Sequence, residues 1–194
     1  MDYLNLNKKL WNDRTIVHVN SEFYNNETFL KGKNSLNEIE LNLLGNVRGK
    51  SILHLQCHFG QDSISLARLG AKVTAVDFSE KAIETAIALN KKSGTDCKFI
   101  CSDVYSLATV LDQKFDIIFT SYGVIGWLPD MQKWANLIAS FLKPGGVFVI
   151  AEFHPAVWMF DNDFKYVQYS YFKSEPIIET EEGTYADKDE KINT

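Results

Sequence analysis

The sequence predicts an α/β fold: a doubly wound, mostly parallel sheet with helices on both faces. Three observations predict it. Short apolar runs alternate with amphipathic stretches between residues 50 and 155. Runs such as IIFTS (117–121) and VFVIAEF (147–153) are apolar on both faces, as strands covered from both sides must be. Acidic residues close two of the runs, at the carboxyl ends where open parallel sheets bind their ligands.

The elements follow in order. Residues 1–49 are polar with interspersed aromatics, Trp11, Phe23, Tyr24 and Phe29. Within them SLNEIELNLLGNV (35–47) carries apolar residues at helical spacing. Ser35 is placed as its cap with Glu38 three residues on, and Gly45 or Gly49 as its end. Strands are expected at 51–56, 72–77, 97–101, 115–121 and 147–153, and helices at 62–69, 79–92, 104–111 and 130–142. Ser79 and Asp130 stand where caps belong, and LKPGG closes the last of these helices. After His154-Pro155 the pattern changes to FKYVQYSYFK (164–173) and EPIIETEEGTYA (175–186), read as an antiparallel appendage with a charged, frayed tail. The expected division is a helical lid over 1–49, a ligand-binding domain over 50–155 and the appendage over 156–194.

With 194 residues, 45% of them hydrophobic, the chain suits one domain with a sizeable core. Its net charge of -5 and only three arginines (Arg14, Arg48, Arg68) exclude a basic nucleic-acid surface. Cys57, Cys97 and Cys101 are too few and odd in number for a disulfide framework, with Cys97 and Cys101 in a strand expected to be buried. No signal-like or membrane-length apolar run occurs, so a cytoplasmic protein is expected, with no membrane partner.

The stretch KSILHLQCHFGQDSISLARL (50–69) reads as strand, tight loop and helix. Gly60 allows close backbone approach, and Asp62 is placed to cap the helix with its side chain near a ligand's amino group. Asp77 ends the second strand, 17 residues after Gly60, where a carboxylate accepts both hydroxyls of a ribose. Ser79 is the better cap for the helix that follows. Asp103 ends the third strand, where it can accept from an adenine amino group while the amide of Val104 reaches a ring nitrogen.

These segments resemble class I S-adenosylmethionine (SAM) dependent methyltransferases, in particular the small-molecule branch of types 11 and 25. The matching residues are ILHLQCHFGQDSISLARLGAKVTAVDFSEKAIETA, CSDVYSL, FDIIFTSYGVIGWLPD and WANLIASFLKPGGVFVIAEFHP, with FLKPGG and the strand after it the most specific. The resemblance implies a Rossmann-like domain over about 50–155, with SAM as cofactor. It implies that the loop Gln56, Cys57, His58 and Gly60 holds the methionine part. Asp77 would hold the ribose, and Asp103 with Val104 the adenine. Phe78 would pack on the adenosine, and Thr120, Ser121 and Tyr122 would line the site beside the sulfonium. The chain departs from the family in having His54 where an acid is usual, and Gln56 and His58 where glycines are usual.

The activity implied is methyl transfer to a small-molecule acceptor; the alternative is a SAM-binding protein without transferase activity. Orientation and desolvation supply much of such a displacement, so no base is obligatory. His154 and Tyr122, both just past strand ends, are the base candidates. His54, Cys57 and His58 form an HxxCH cluster, but strand alternation turns His54 away from the loop, so no metal is expected. The absence of GxGxxG argues against a nicotinamide enzyme. Trp127, Trp158, Met159 and Phe160, with Tyr166, Tyr169 and Tyr171, are placed either to cover an apolar acceptor or to close the core; Tyr24 is placed over SAM. The family's sheet continues with a further helix and hairpin for which this sequence leaves no room. Either the sequence is a piece of a longer chain or the family plan is shortened here; the first option predicts an exposed apolar sheet edge, and with it poor solubility or an edge-to-edge homodimer.

Overall fold

The computed structural model describes residues 3–161, 163–172, 177 and 183–188. Its centre is a five-stranded, wholly parallel sheet in the order β3-β2-β1-β4-β5. The strands are β1 (Ser51–Leu55), β2 (Lys72–Asp77), β3 (Lys98–Cys101), β4 (Phe115–Ser121) and β5 (Leu142–Ala151). β1 pairs with both β2 and β4, so the chain reverses its direction of winding there. The crevice that such a reversal opens lies at the carboxyl ends of β1 and β4.

Among the described residues six α-helices accompany the sheet: α1 (Tyr3–Asn20), α2 (Asn26–Leu30), α3 (Glu38–Leu44), α4 (Gln61–Arg68), α5 (Glu80–Ser93) and α6 (Met131–Phe141). Alternation along the strands sorts the core into two layers. Ile52, Val73, Ala75, Ile117 and Phe119 pack with Phe29, Leu44, Ile64, Leu66, Ile83 and Leu89 from α2 to α5. Leu53, Leu55, Val76 and Ile118 pack on the other face with Trp134, Leu137, Ile138 and Phe141 of α6. Ser79 caps α5 by accepting from the Ala82 amide at 3.0 Å, and Asp130 caps α6 by accepting from the Lys133 amide at 2.8 Å, both as expected.

Several local expectations are corrected. α1 lies in the region expected to be a helical lid, but its bounds are not among the helices read from periodicity because it lacks an apolar stripe. It docks on the start of α5 through polar groups: Ser79 Oγ and the Lys81 amide donate to Asn12, Asn12 Nδ2 donates to Glu80, and Lys8 pairs with Glu80. α3 starts after Asn37, not Ser35, whose hydroxyl instead bonds Ser65 Oγ at 2.9 Å; Gly45 does end it. The expected helix at 104–111 is a 3-10 helix, Val104–Thr109. LKPGG does end α6, whose last residue is Phe141 and whose cap is Leu142, but it has a second task. It opens β5, where Leu142 pairs with Phe115 and the ladder resumes at Val147 opposite Ile117. Gly145, at φ +77°, and the residues around it form the bulge between the two pairings.

β5 is the sheet edge rather than a doubly covered strand, with Val147 50% exposed. Cys101, on the opposite edge strand, is likewise exposed. Among the described residues the appendage shows isolated bridges, Phe160 to Val167 and Thr184 to Asp187, in place of the expected strands; most of 175–186 lies outside the described residues.

Candidate active site

β1 runs into the loop Gln56–Gly60, whose backbone alternates in the left-handed region: Gln56 at φ +54°, His58 at +51° and Gly60 at +81°. The backbone thus takes a conformation that suits glycine at two residues that carry side chains, a strain of about 1–2 kcal/mol for each. Gly60 is required for a different reason from the expected one. A Cβ there would stand 2.7 Å from the Phe99 ring, so the glycine lets α4 begin against β3. The Cys57 side chain is turned into the core, where burial and the nearby Asp77 charge push its thiol up. Only its backbone is left to face a ligand.

Asp77 is 8% exposed and ties three segments together. Its Oδ2 accepts from the His58 amide at 2.8 Å and its Oδ1 from the Ser79 amide at 2.9 Å. Burial pushes its carboxyl up to about 6, against the lowering effect of these N–H bonds. Asp77 stands opposite Cys101 in the ladder, which puts Asp103 just beyond it at the end of the neighbouring strand. Asp103 precedes the 3-10 helix and accepts from Ser106 Oγ at 3.3 Å. Val104 buries its side chain among Leu55, Val76 and Leu107, leaving its amide for a ligand, and Phe78 is half-buried beside Asp77.

The other wall is built by α3, α4 and the end of β4. Asp62 does not cap α4, whose cap position is Gly60. It turns across the crevice, and its Oδ2 accepts from Ser121 Oγ at 3.0 Å. Burial raises its carboxyl, opposed by the Ser35 and Ser121 hydroxyls and reinforced by the Glu40 charge. Tyr122, at φ +43° and 37% exposed, receives a 3.4 Å hydrogen bond from Asn37 Nδ2 on its phenol. Thr120 is fully buried and donates to the Leu55 carbonyl at 3.3 Å, so it stands behind this wall rather than in it.

Glu152, directly after β5, fixes the loop carrying Tyr122. Its carboxylate accepts from the amides of Gly123 and Val124 (both 2.6 Å), Ile125 (3.1 Å) and Phe153 (2.8 Å). His154 Nδ1 accepts from the Ala156 amide at 3.2 Å and so caps the 3-10 helix Pro155–Met159. Its Nε2 stays available in an exposed position.

His54 and His58 point to different partners. His54 is buried, bonds Ser63 Oγ at 2.8 Å and packs on Phe119; burial lowers its pKa to about 3, which keeps the imidazole neutral. His58 points to α1, with its Nε2 2.9 Å from His18 Nδ1. Trp11, Tyr24 and Phe59 ring it, and Trp127 packs on Trp11. Sequence reasoning missed Glu40, Gln61 and Glu152. Gln61 Nε2 donates to the Tyr24 carbonyl and to Asn26 Oδ1, fastening the N-terminal helices to the loop. Its polar side chain next to Gly60 was the one available signal.

Comparisons with known proteins bear on the family and the fold. The methyltransferase domain family matches residues 52–146. A ubiquinone biosynthesis O-methyltransferase of Coxiella burnetii is 35% identical over 100 residues, covering 52% of this chain and 42% of its own. The same enzyme of Bordetella avium is 28% identical over 130 residues, covering 65% and 54%. The chain thus spans about half the length of the curated relatives it matches. A solved S-adenosylmethionine dependent methyltransferase of Mesorhizobium loti superposes with a TM-score of 0.55 at 28% identity, over 67% of this chain and 58% of that one. Residues 52–146 therefore belong to the methyltransferase domain family, of the class I type whose cofactor is S-adenosylmethionine.

Proposed function

We propose that this protein transfers the methyl group of SAM to a small-molecule acceptor in the cytoplasm. The observation that carries this reading is the buried Asp77 carboxylate at the end of β2, hydrogen-bonded to the loop after β1 and, among the described residues, in no ion pair. A carboxylate so placed answers the paired hydroxyls of a ribose. The loop amides around Gln56–Gly60 answer the methionine end, and Asp103 with the Val104 amide the adenine. Phe78 packs beside the adenosine, and Asp62, Ser121 and Tyr122 line the wall at the end of β4.

When bound, the cofactor supplies an activated methyl group. This chain's residues then orient the acceptor and exclude water from it. Tyr122 is the nearest wall, and His154 Nε2 is the group free to take a proton from the acceptor. Acidic net charge supports a small molecule over a nucleic acid, and three unpaired cysteines support a reducing compartment. Among the described residues no helix is long and apolar enough to cross a membrane. The relatives named ubiquinone biosynthesis O-methyltransferases support an oxygen as the acceptor atom.

Calorimetric titration with SAM and S-adenosylhomocysteine, paired with a labelled-methyl screen of small acceptors, tests the reading. Micromolar binding with turnover is expected, and Asp77→Ala should abolish the binding. Failure of the wild type to bind either ligand overturns the proposal; tight binding without turnover across acceptors favours a binding protein instead.

A further inference from the structure

Where the family usually carries an acid, β1 carries His54, whose imidazole is neutral and bonded to Ser63. Negative charge enters the crevice from another direction. Glu40, on α3, is 1% exposed. Its Oε1 accepts from Asn37 Nδ2 at 3.1 Å, and its Oε2 is buried with no hydrogen-bond partner. Asn37 Nδ2 reaches both Glu40 and the Tyr122 phenol, and Ser121, the residue before Tyr122, donates to Asp62, so the two carboxylates meet at the end of β4. Glu40 faces the Tyr122 phenol as well.

Among the described residues no ion pair includes Glu40 or Asp62. The polar groups around the pair are Ser35, Asn37, Ser121 and Tyr122, all neutral, and of these Asn37 donates to Glu40 and Ser121 to Asp62. Two carboxylates removed from water without a cation are costly, and one oxygen without any donor adds to that cost. A ligand bringing a positive charge with several N–H donors satisfies both deficits at once. An ammonium has that chemistry, offering three donors and no acceptor.

We propose that Glu40 and Asp62 together form an ammonium-binding site at the end of β4, which takes the α-ammonium of SAM's methionine end. This assignment rests on the proposed methyltransferase reading for the identity of the ligand. It gives Glu40 a role in a cofactor site otherwise drawn from residue 56 onward. It also accounts for how the loop tolerates a neutral His54: the charge that the family places on β1 is supplied here by α3 and α4.

Three probes test it by calorimetry: S-adenosylhomocysteine, its α-deaminated analogue and 5′-methylthioadenosine, which lacks the amino-acid end. A charge-assisted hydrogen bond is worth roughly tenfold to a hundredfold in affinity, so the wild type should prefer S-adenosylhomocysteine to its deaminated analogue by that factor. Glu40→Gln, which keeps the shape and removes the charge, should erase most of that preference while leaving 5′-methylthioadenosine binding unchanged. Glu40→Asp, which keeps the charge on a shorter arm, should retain part of it, and thermal melting checks that both variants fold. An undiminished preference in folded Glu40→Gln overturns the ammonium site and leaves the methyltransferase reading intact. A wild type that binds neither S-adenosylhomocysteine nor 5′-methylthioadenosine overturns both.

Discussion

Replacing Asp77 with asparagine should make this protein relatively more stable as pH rises while depriving it of its cofactor. The Asp77 carboxyl is buried, and its pKa is raised from 3.8 to about 6 in the folded chain. An acid whose folded pKa lies above the unfolded value binds its proton more tightly in the folded state. Folding stability from this group is therefore full below about pH 4 and falls as pH climbs to about 6, after which it is level. The difference between the folded and unfolded pKa corresponds to about 3 kcal/mol.

The carboxamide of Asp77→Asn does not titrate, so the stability of this variant relative to wild type should rise by about 2–3 kcal/mol across that window. A fixed offset accompanies it. The new amide nitrogen would face either the His58 or the Ser79 amide, donor to donor, at a cost of about 1–3 kcal/mol at every pH. Urea unfolding of both proteins from about pH 4 to about pH 8 separates the two contributions, since other titrating groups cancel in the difference. Stability curves that stay parallel across the range would refute the burial argument. In the wild type, S-adenosylhomocysteine affinity should also weaken below about pH 6, as protonation removes the ribose acceptor.

Two further outcomes follow from local geometry. Gln56→Gly should stabilise the fold by about 1 kcal/mol: it relieves a left-handed φ and an unpartnered buried Oε1, against the backbone entropy of glycine. Denaturant midpoints that fail to rise would count against strain in this loop. Glu152→Gln should cost about 2 kcal/mol and speed amide exchange at residues 123–125, because one neutral oxygen replaces the charged acceptor of those N–H groups. Unchanged exchange there would show that the loop holds itself.

The sheet is legible in the sequence because each strand carries its own record. β1, β2 and β4 are apolar on both faces, and both flanking layers are built by local helices with clear caps at Ser79 and Asp130. β5 is legible as a strand but not as an edge, since exposure depends on what lies beside it. α1 is invisible to periodicity because Asn12, Lys8 and its other anchoring groups are polar, and polar docking leaves no hydrophobic stripe. Gly60 and Asp62 stand out in the sequence, but their local tasks differ from those their positions suggest. One serves the Phe99 contact and the other reaches Ser121, and both contacts are long-range.

The pattern along the chain is enough to order the elements from β1 to β5 and to put Asp77 and Asp103 at strand ends. These follow from side-chain period and strand length, which are local properties. Which group meets which is settled by the folded chain. It has a neutral His54 turned to Ser63, a left-handed backbone at Gln56 and His58, and Glu40, with an oxygen unanswered, brought with Asp62 to the end of β4. Burial and the pairing of charges depend on groups distant in the chain, and the fold alone brings them together.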